Sequence, residues 1–260
     1  MTWLLACTAL SGALVWLAGL IGAMYYDLRL AQAARAQARH PRARRYRQRP
    51  LVSVVIVTDG ASVDACLQTV WASAYRKLEV VVVANGPVDA TSLRQTLRGR
   101  GRLIVKRRST DRMTAILSAR RYLHGEVVLL LDPATRLERQ TITAAITQYN
   151  RQPDATWILP DIQLIASTVS GIFQSYVALL GRRTYKFRQM ASLPLSFAGP
   201  AVFCRTSQLP RQLRQGDQLG VYGAEVHLQT MGPTSLYAWW QQQYAAQRCS
   251  WQILTQRDWR

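Results

Sequence analysis

Acidic residues are scarce in this sequence. Its 260 residues hold 14 Asp and Glu against 33 Lys and Arg, a formal net charge of +19. That imbalance suits an anionic partner such as phosphates, a membrane surface or nucleic acid, and says nothing about fold. No nucleic-acid recognition motif accompanies the charge, which argues against nucleic acid as the partner. The first 26 residues carry no charge at all. A cleavable signal peptide does not fit there, because the basic start and a small-residue cleavage site before a polar stretch are both missing. Cysteines are few: Cys7, Cys66, Cys204 and Cys249, no two spaced like a metal clip or a redox pair. They read as reduced, structural thiols. No internal repeat is visible.

What is present begins with "WLLACTALSGALVWLAGLIGAMYY", Trp3 to Tyr26. A bilayer crossing takes about 20 apolar residues, so residues 1–28 read as one uncleaved transmembrane anchor. Arg29, Arg35, Arg39, Arg42, Arg44, Arg45, Arg47 and Arg49 follow it. The positive-inside rule then puts the rest of the chain in the cytoplasm, tethered to an inner or plasma membrane. Residues 29–50 form a basic juxtamembrane linker of low complexity, helical at first and broken near Pro41. A solvated linker accounts for its charge, and so does contact with anionic lipid headgroups, at roughly 1 kcal/mol per cation. Setting aside those eight arginines and Asp27 leaves +12 for residues 50–260, so the remainder is basic in its own right.

From Leu51 the texture changes. "LVSVVIV" is a continuous β-branched run, the mark of a buried parallel strand. Ser62 then caps a helix with apolar residues at Val63, Cys66, Leu67, Val70 and Trp71. A second strand, Leu78 to Val83, ends in the turn "ANGP"; a short helix (Thr91 to Leu97), the strand "RLIVKR" and the helix "RMTAILSARRYL" follow. The strand "EVVLLL" runs into Asp132. This β-α-β-α-β-α-β order predicts an open parallel sheet with helices on both faces, with the ligand site outside the carboxyl ends of its strands. Beyond it come a strand "TWILPDIQLI", the segment "SGIFQSYVALLGRRTYKFRQM", a strand-like "FAGPAVFCR" and a Trp/Gln-rich last helix. The second of these suits either a membrane surface or a core helix with a basic cap.

These stretches, in this order, resemble a family 2 glycosyltransferase, nearest to the processive membrane synthases of cellulose, chitin, hyaluronan and poly-N-acetylglucosamine. The likeness runs from about residue 50 to about residue 255. It implies a GT-A fold over residues 51–260: a mostly parallel sheet with helices on both faces, preceded by the transmembrane helix. Within it "SGIFQSYVALLGRRTYKFRQM" matches an amphipathic interface helix and "FAGPAVFCRTSQL" the acceptor-side strand.

The resemblance also implies where functional residues belong, and there this chain departs from it. The nucleotide-base carboxylates fall on Ala84 and Asn85; Asn85 can still hydrogen-bond a base edge, and Asp89 stands nearby, where a helix cap explains it equally well. The acid expected after the first strand is Ala61, with Asp59 as a possible substitute two residues earlier. The metal motif keeps Asp132 and has Ala134 for its partner. Mg²⁺ needs only one or two carboxylates when substrate phosphates supply the rest. The family's Glu-Asp base is absent; Asp217, in a Gly-flanked turn, is the stand-in, and Glu225 reads as part of a strand edge. The last motif falls on Gln242 without its diphosphate-binding Arg. Carboxylates or Arg are missing at every functional station while the apolar strands persist. The resulting expectation is a membrane-anchored relative with little or no transferase activity and no cofactor of its own, a partner or regulator in polysaccharide or cell-envelope glycan assembly. Its single span cannot form a channel, so any export would need another protein, such as a polysaccharide synthase or export complex. The alternative is an active transferase taking a UDP-sugar with Mg²⁺ or Mn²⁺: Asp59 and Asp132 at the donor, Asp217 as base, and Arg107, Arg108 and Arg112 at the diphosphate.

Overall fold

The computed structural model describes residues 49–110, 112–152, 155, 157–165, 168–190, 199–209, 220–233, 235–237 and 239–240. The anchor expected at 1–28, nearly all of the linker, Asp217 and Gln242 lie outside the described residues. Among the described residues no helix is long and apolar enough to cross a membrane.

The first half alternates strand and helix as the periodicity predicts. Strand β1 (Val52–Thr58) leads to α1 (Asp64–Trp71), β2 (Leu78–Asn85), α2 (Ala90–Leu97), β3 (Arg102–Lys106), α3 (Arg112–Ala119) and β4 (Val127–Leu131). The four strands are parallel, in the order β3-β2-β1-β4. Because β1 is covered on both faces, its residues divide by parity. Val52, Val54 and Ile56 meet Cys66, Leu67 and Val70 of α1, whereas Val55 meets Ala115, Ile116 and Ala119 of α3. Burial of such a side chain contributes about 1.5–3 kcal/mol, which is why the β-branched runs specify this half so firmly. The Ser62 cap is displaced by one position. Val63 occupies the N-cap, and the Ser62 hydroxyl donates to the Asp64 carboxylate at 2.7 Å.

After β4 come β5 (Thr135–Leu137), α4 (Thr141–Arg151), β6 (Trp157–Ile165), α5 (Val169–Met190), β7 (Ala201–Arg205) and β8 (Gly220–Met231). They extend the sheet to eight strands, β3-β2-β1-β4-β7-β6-β8-β5. The sheet is mostly parallel as expected, four of its seven strand pairs being so, and the antiparallel pairs fall in this half. Pairs β4–β7, β6–β7 and β5–β8 are antiparallel, and only β6–β8 is parallel. An apolar run marks a strand without giving its direction, and the passage from β6 through α5 brings β7 into the sheet from the opposite end. Helix α4 and strand β5 go beyond the sequence reading. The signal for α4 was there, since Ile142, Ala145, Ile146 and Tyr149 are spaced i, i+3, i+4, i+7 and all are buried.

Helix α5 packs one side on the sheet, as the core-helix reading of its segment expects. Tyr185 reaches the core between the sheet and α3, and Arg182 and Lys186 touch β6 and β8. Along its outer side Val169, Ile172, Phe173, Tyr176, Leu179 and Leu180 form an exposed apolar stripe. Its start is tied down by Thr168 and Ser170, whose hydroxyls donate to the Pro233 carbonyl at 2.9 and 3.0 Å.

Candidate functional site

The chain order reverses between β1 and β4, which makes the carboxyl end of that strand pair the expected ligand crevice. Asp59 follows β1, Asn85 closes β2 and Asp132 follows β4, so the fold brings three of the sequence candidates to one edge of the sheet. Asp59 is exposed in a turn shaped by its neighbours: Thr58 Oγ1 donates to the Ala61 carbonyl at 2.6 Å, and Gly60 supplies a φ of +123°. The Gly60 N–H donates to Thr58 Oγ1 at 3.3 Å, so Thr58 holds both sides of this loop. Asp89 caps α2, accepting from the Thr91 and Ser92 N–H groups at 2.9 and 3.4 Å. The helix-cap account of Asp89 thus has its geometry.

Asn85 is buried and bonded to Thr110 through both its amide nitrogen and its oxygen. Its Nδ2 donates to the Thr110 carbonyl at 2.8 Å, and its Oδ1 accepts from the Thr110 N–H and hydroxyl, each at 3.0 Å. Lys106 adds a bond from Nζ to Thr110 Oγ1 at 3.1 Å. This clasp straps the loop carrying Arg107 and Arg108 to the tip of β2. Nothing in the sequence marked Thr110 or Lys106, whose partners are set by β2–β3 pairing (Asn85 beside Lys106). Replacing Asn85 by Ala removes three bonds and leaves Thr110 unsatisfied. The expected loss is about 2 kcal/mol of stability, read as a lower midpoint in urea unfolding.

Asp132 has the decisive surroundings. Oδ2 lies 3.1 Å from Arg112 Nη1, and Oδ1 accepts the Ala134 N–H at 3.0 Å. Arg112 enters from α3, so a guanidinium stands beside the carboxylate that follows β4. Both oxygens are committed, one to a cation and one to the turn. Among the described residues no group of three His, Cys, Asp or Glu could hold a metal ion. Among the described residues, the carboxylate after β4 is paired with a guanidinium and has no second acid beside it.

No family model and no curated protein matches this chain. Solved structures do. The mannosyltransferase PcManGT from Pyrobaculum calidifontis, in complex with GDP-Man and Mn²⁺, superposes with a TM-score of 0.59 at 18% identity, over 86% of this chain and 70% of that one. S. aureus TarS 1-349 gives 0.51 at 12% identity over 76% of this chain and 64% of its own length. Its complex with UDP-GlcNAc gives 0.51 at 13% identity, over 72% and 60%. The chain has a GT-A glycosyltransferase-type fold. Within that fold, Asp132 and Arg112 stand where β4 and α3 meet the carboxyl edge, and the buried Cys66 thiol donates to the Asp132 carbonyl at 3.8 Å. Burial pushes Cys66 and Cys204 up to about 12, so both stay protonated.

A second polar cluster of this glycosyltransferase fold escaped the sequence reading. Asp161, buried on β6, lies 2.8 Å from Arg182 Nε and accepts the Tyr222 hydroxyl at 2.6 Å, while His227 Nδ1 is 3.5 Å from its other oxygen. Arg182 also donates to the Ile162 carbonyl at 2.8 Å. The available hint was a lone acid inside the apolar strand "WILPDIQLI". Glu225, expected at a strand edge, is in β8 and pairs with Arg151 at 2.8 Å.

Proposed function

We propose that this chain is a membrane-anchored protein of polysaccharide or cell-envelope glycan assembly that has kept a glycosyltransferase fold without metal-dependent sugar transfer. It acts as a partner or regulator of a polysaccharide synthase or export complex at the cytoplasmic side of an inner or plasma membrane. The observation that supports this reading is the Arg112–Asp132 ion pair at 3.1 Å, with the other Asp132 oxygen held by the Ala134 N–H. A leaving diphosphate needs its charge neutralised, which a metal does by bridging carboxylate and phosphate. Here the carboxylate is already neutralised by a side chain. The acid lost at Ala134 and the Asn85 amide turned inward to Thr110 point the same way.

One observation favours a second reading. The clasp at Thr110 and the ion pair bring Lys106, Arg107, Arg108 and Arg112 to the carboxyl edge, where cations could bind a diphosphate directly. Calorimetric titration of the full chain in detergent with UDP, UDP-sugars and GDP-mannose, with and without Mn²⁺, separates the two. The expected result is no metal-dependent heat up to millimolar nucleotide. Metal-dependent binding that vanishes in Asp132→Ala would overturn the proposal. Metal-independent binding lost in Arg112→Ala would replace it with the cationic diphosphate site.

A further inference from the structure

Strands β1 to β4 are parallel, so their amino ends share one edge, opposite the candidate site. Arg76 and Lys77 precede β2, Arg100 and Arg102 enter β3, and Arg120 and Arg121 form the turn before β4. All six are exposed. They are scattered over the sequence, and only the strand order gathers them. None of them is in an ion pair among the described residues. The two acids at these strand entries are Glu79 and Glu126, and Glu79 is turned inward. Its carboxylate accepts from the His124 and Gly125 N–H groups at 2.5 and 3.0 Å and from the Ser53 hydroxyl.

The cations are held in place. The Tyr122 ring lies between Arg102 at 5.0 Å and Arg121 at 4.7 Å, and Arg100 lies 5.9 Å over Trp71. A shallow cavity of about 350 Å³, lined by Arg100, Gly101, Arg102, Tyr122 and His124, opens among them. Four strands at about 4.8 Å spacing spread this charge over roughly 15 Å, a row suited to a flat anionic surface. Like charges gathered so closely repel one another, and an anionic partner relieves that cost.

We infer that the amino-terminal edge of the parallel strands is a docking face for an anionic lipid bilayer. The inference rests on the membrane-anchored reading above. Two features favour lipid over nucleic acid. Arg49 and Pro50 lead into β1 on this edge, and the sequence just ahead of them, residues 29–48, is rich in arginine. Ahead of them runs the uncharged apolar stretch Trp3 to Tyr26. Docked this way, the domain turns its carboxyl edge, with Arg112 and Asp132, away from the bilayer and toward any soluble ligand or partner.

The test uses the full chain with Cys7 and Cys249 changed to Ser, reconstituted in phosphatidylcholine vesicles with or without about 30 mol% phosphatidylserine. Energy transfer to a headgroup acceptor is read from a dye at Ala72→Cys, at the exposed end of α1 on the amino edge, or at Ala61→Cys on the carboxyl edge. Phosphatidylserine should raise transfer from position 72 about twofold, with reversal in about 0.5 M salt, and leave position 61 unchanged. The variant Arg76→Glu/Lys77→Glu/Arg100→Glu/Arg102→Glu should lose that rise while keeping its unfolding midpoint. A chain that stays in the vesicles without the rise, or a variant that retains it, overturns the docking face and leaves the anchor standing. A chain that does not enter vesicles at all overturns the anchored reading. Tight duplex-DNA binding through the same residues, without approach to phosphatidylserine, assigns the face to nucleic acid and overturns the lipid inference.

Discussion

Manganese is expected to bind the double variant Arg112→Ala/Ala134→Asp about a hundredfold more tightly than the parent chain, a gain of roughly 3 kcal/mol. The first substitution releases Asp132 Oδ2 from the guanidinium 3.1 Å away. The second supplies a further carboxylate two residues on, at the turn whose N–H now holds Asp132 Oδ1. Hard divalent cations take oxygen ligands, and two carboxylates with a nucleotide diphosphate make a sufficient set. Each single variant should do much less. Ala134→Asp alone adds an acid that Arg112 can neutralise, and Arg112→Ala alone leaves one carboxylate. Calorimetry with Mn²⁺ and UDP, together with broadening of nucleotide phosphorus resonances by the bound ion, reads the result. No gain in the double variant would mean that Asp132 does not face a metal-sized space, and the case for a converted metal site would fall. The native ion pair itself contributes little to stability, about 0–1 kcal/mol, because both side chains are partly exposed.

The Asp161→Ala substitution is expected to cost about 3 kcal/mol and to lower the melting midpoint by roughly 10 °C. Asp161 is buried, and its removal leaves the Tyr222 hydroxyl without its acceptor and the Arg182 guanidinium, only 30% exposed, without its counter-charge. Stranding a charge in such a place costs more than the pair contributed. Two companion variants separate these effects. Asp161→Asn keeps an acceptor for Tyr222 and should recover part of the loss. Asp161→Leu with Arg182→Met removes both charges together and should be close to neutral. If Asp161→Ala melts with the parent chain, the cluster does not hold α5 to β6 and β8. The cluster lies where β6 and β8 shift register between Pro160 and Asp161, so it also fixes the alignment of the sheet's second half.

Much of the first half was legible because its information is local. In β1, alternate residues feed different cores, yet all but Ser53 and Thr58 are apolar, and a run of that kind has few alternatives to a strand covered on both faces. The cap at Asp89 was readable for the same reason, since an Asp two residues before a helical stretch needs only neighbouring N–H groups. The displaced cap at Ser62 marks the precision of such reading, one residue. Helix α4 was equally legible in its spacing and escaped the reading, whereas β5, at three residues, carries too little pattern to be distinguished from a loop.

The sequence by itself determined the parallel α/β half, the overall scarcity of acids and the excess of positive charge. Each of these depends on residue type and on periods of two or of three to four residues, which the chain carries wherever it goes. Only the tertiary structure decided which way β7 and β5 run, that Arg112 meets Asp132 twenty residues on, that Asn85 closes on Thr110 and that Asp161 finds Arg182, Tyr222 and His227. It also gathered Arg76, Lys77, Arg100, Arg102, Arg120 and Arg121 onto one edge. Such pairings depend on strand order, direction and register. Those are set by how whole faces pack against one another, and no local pattern of apolar residues encodes them.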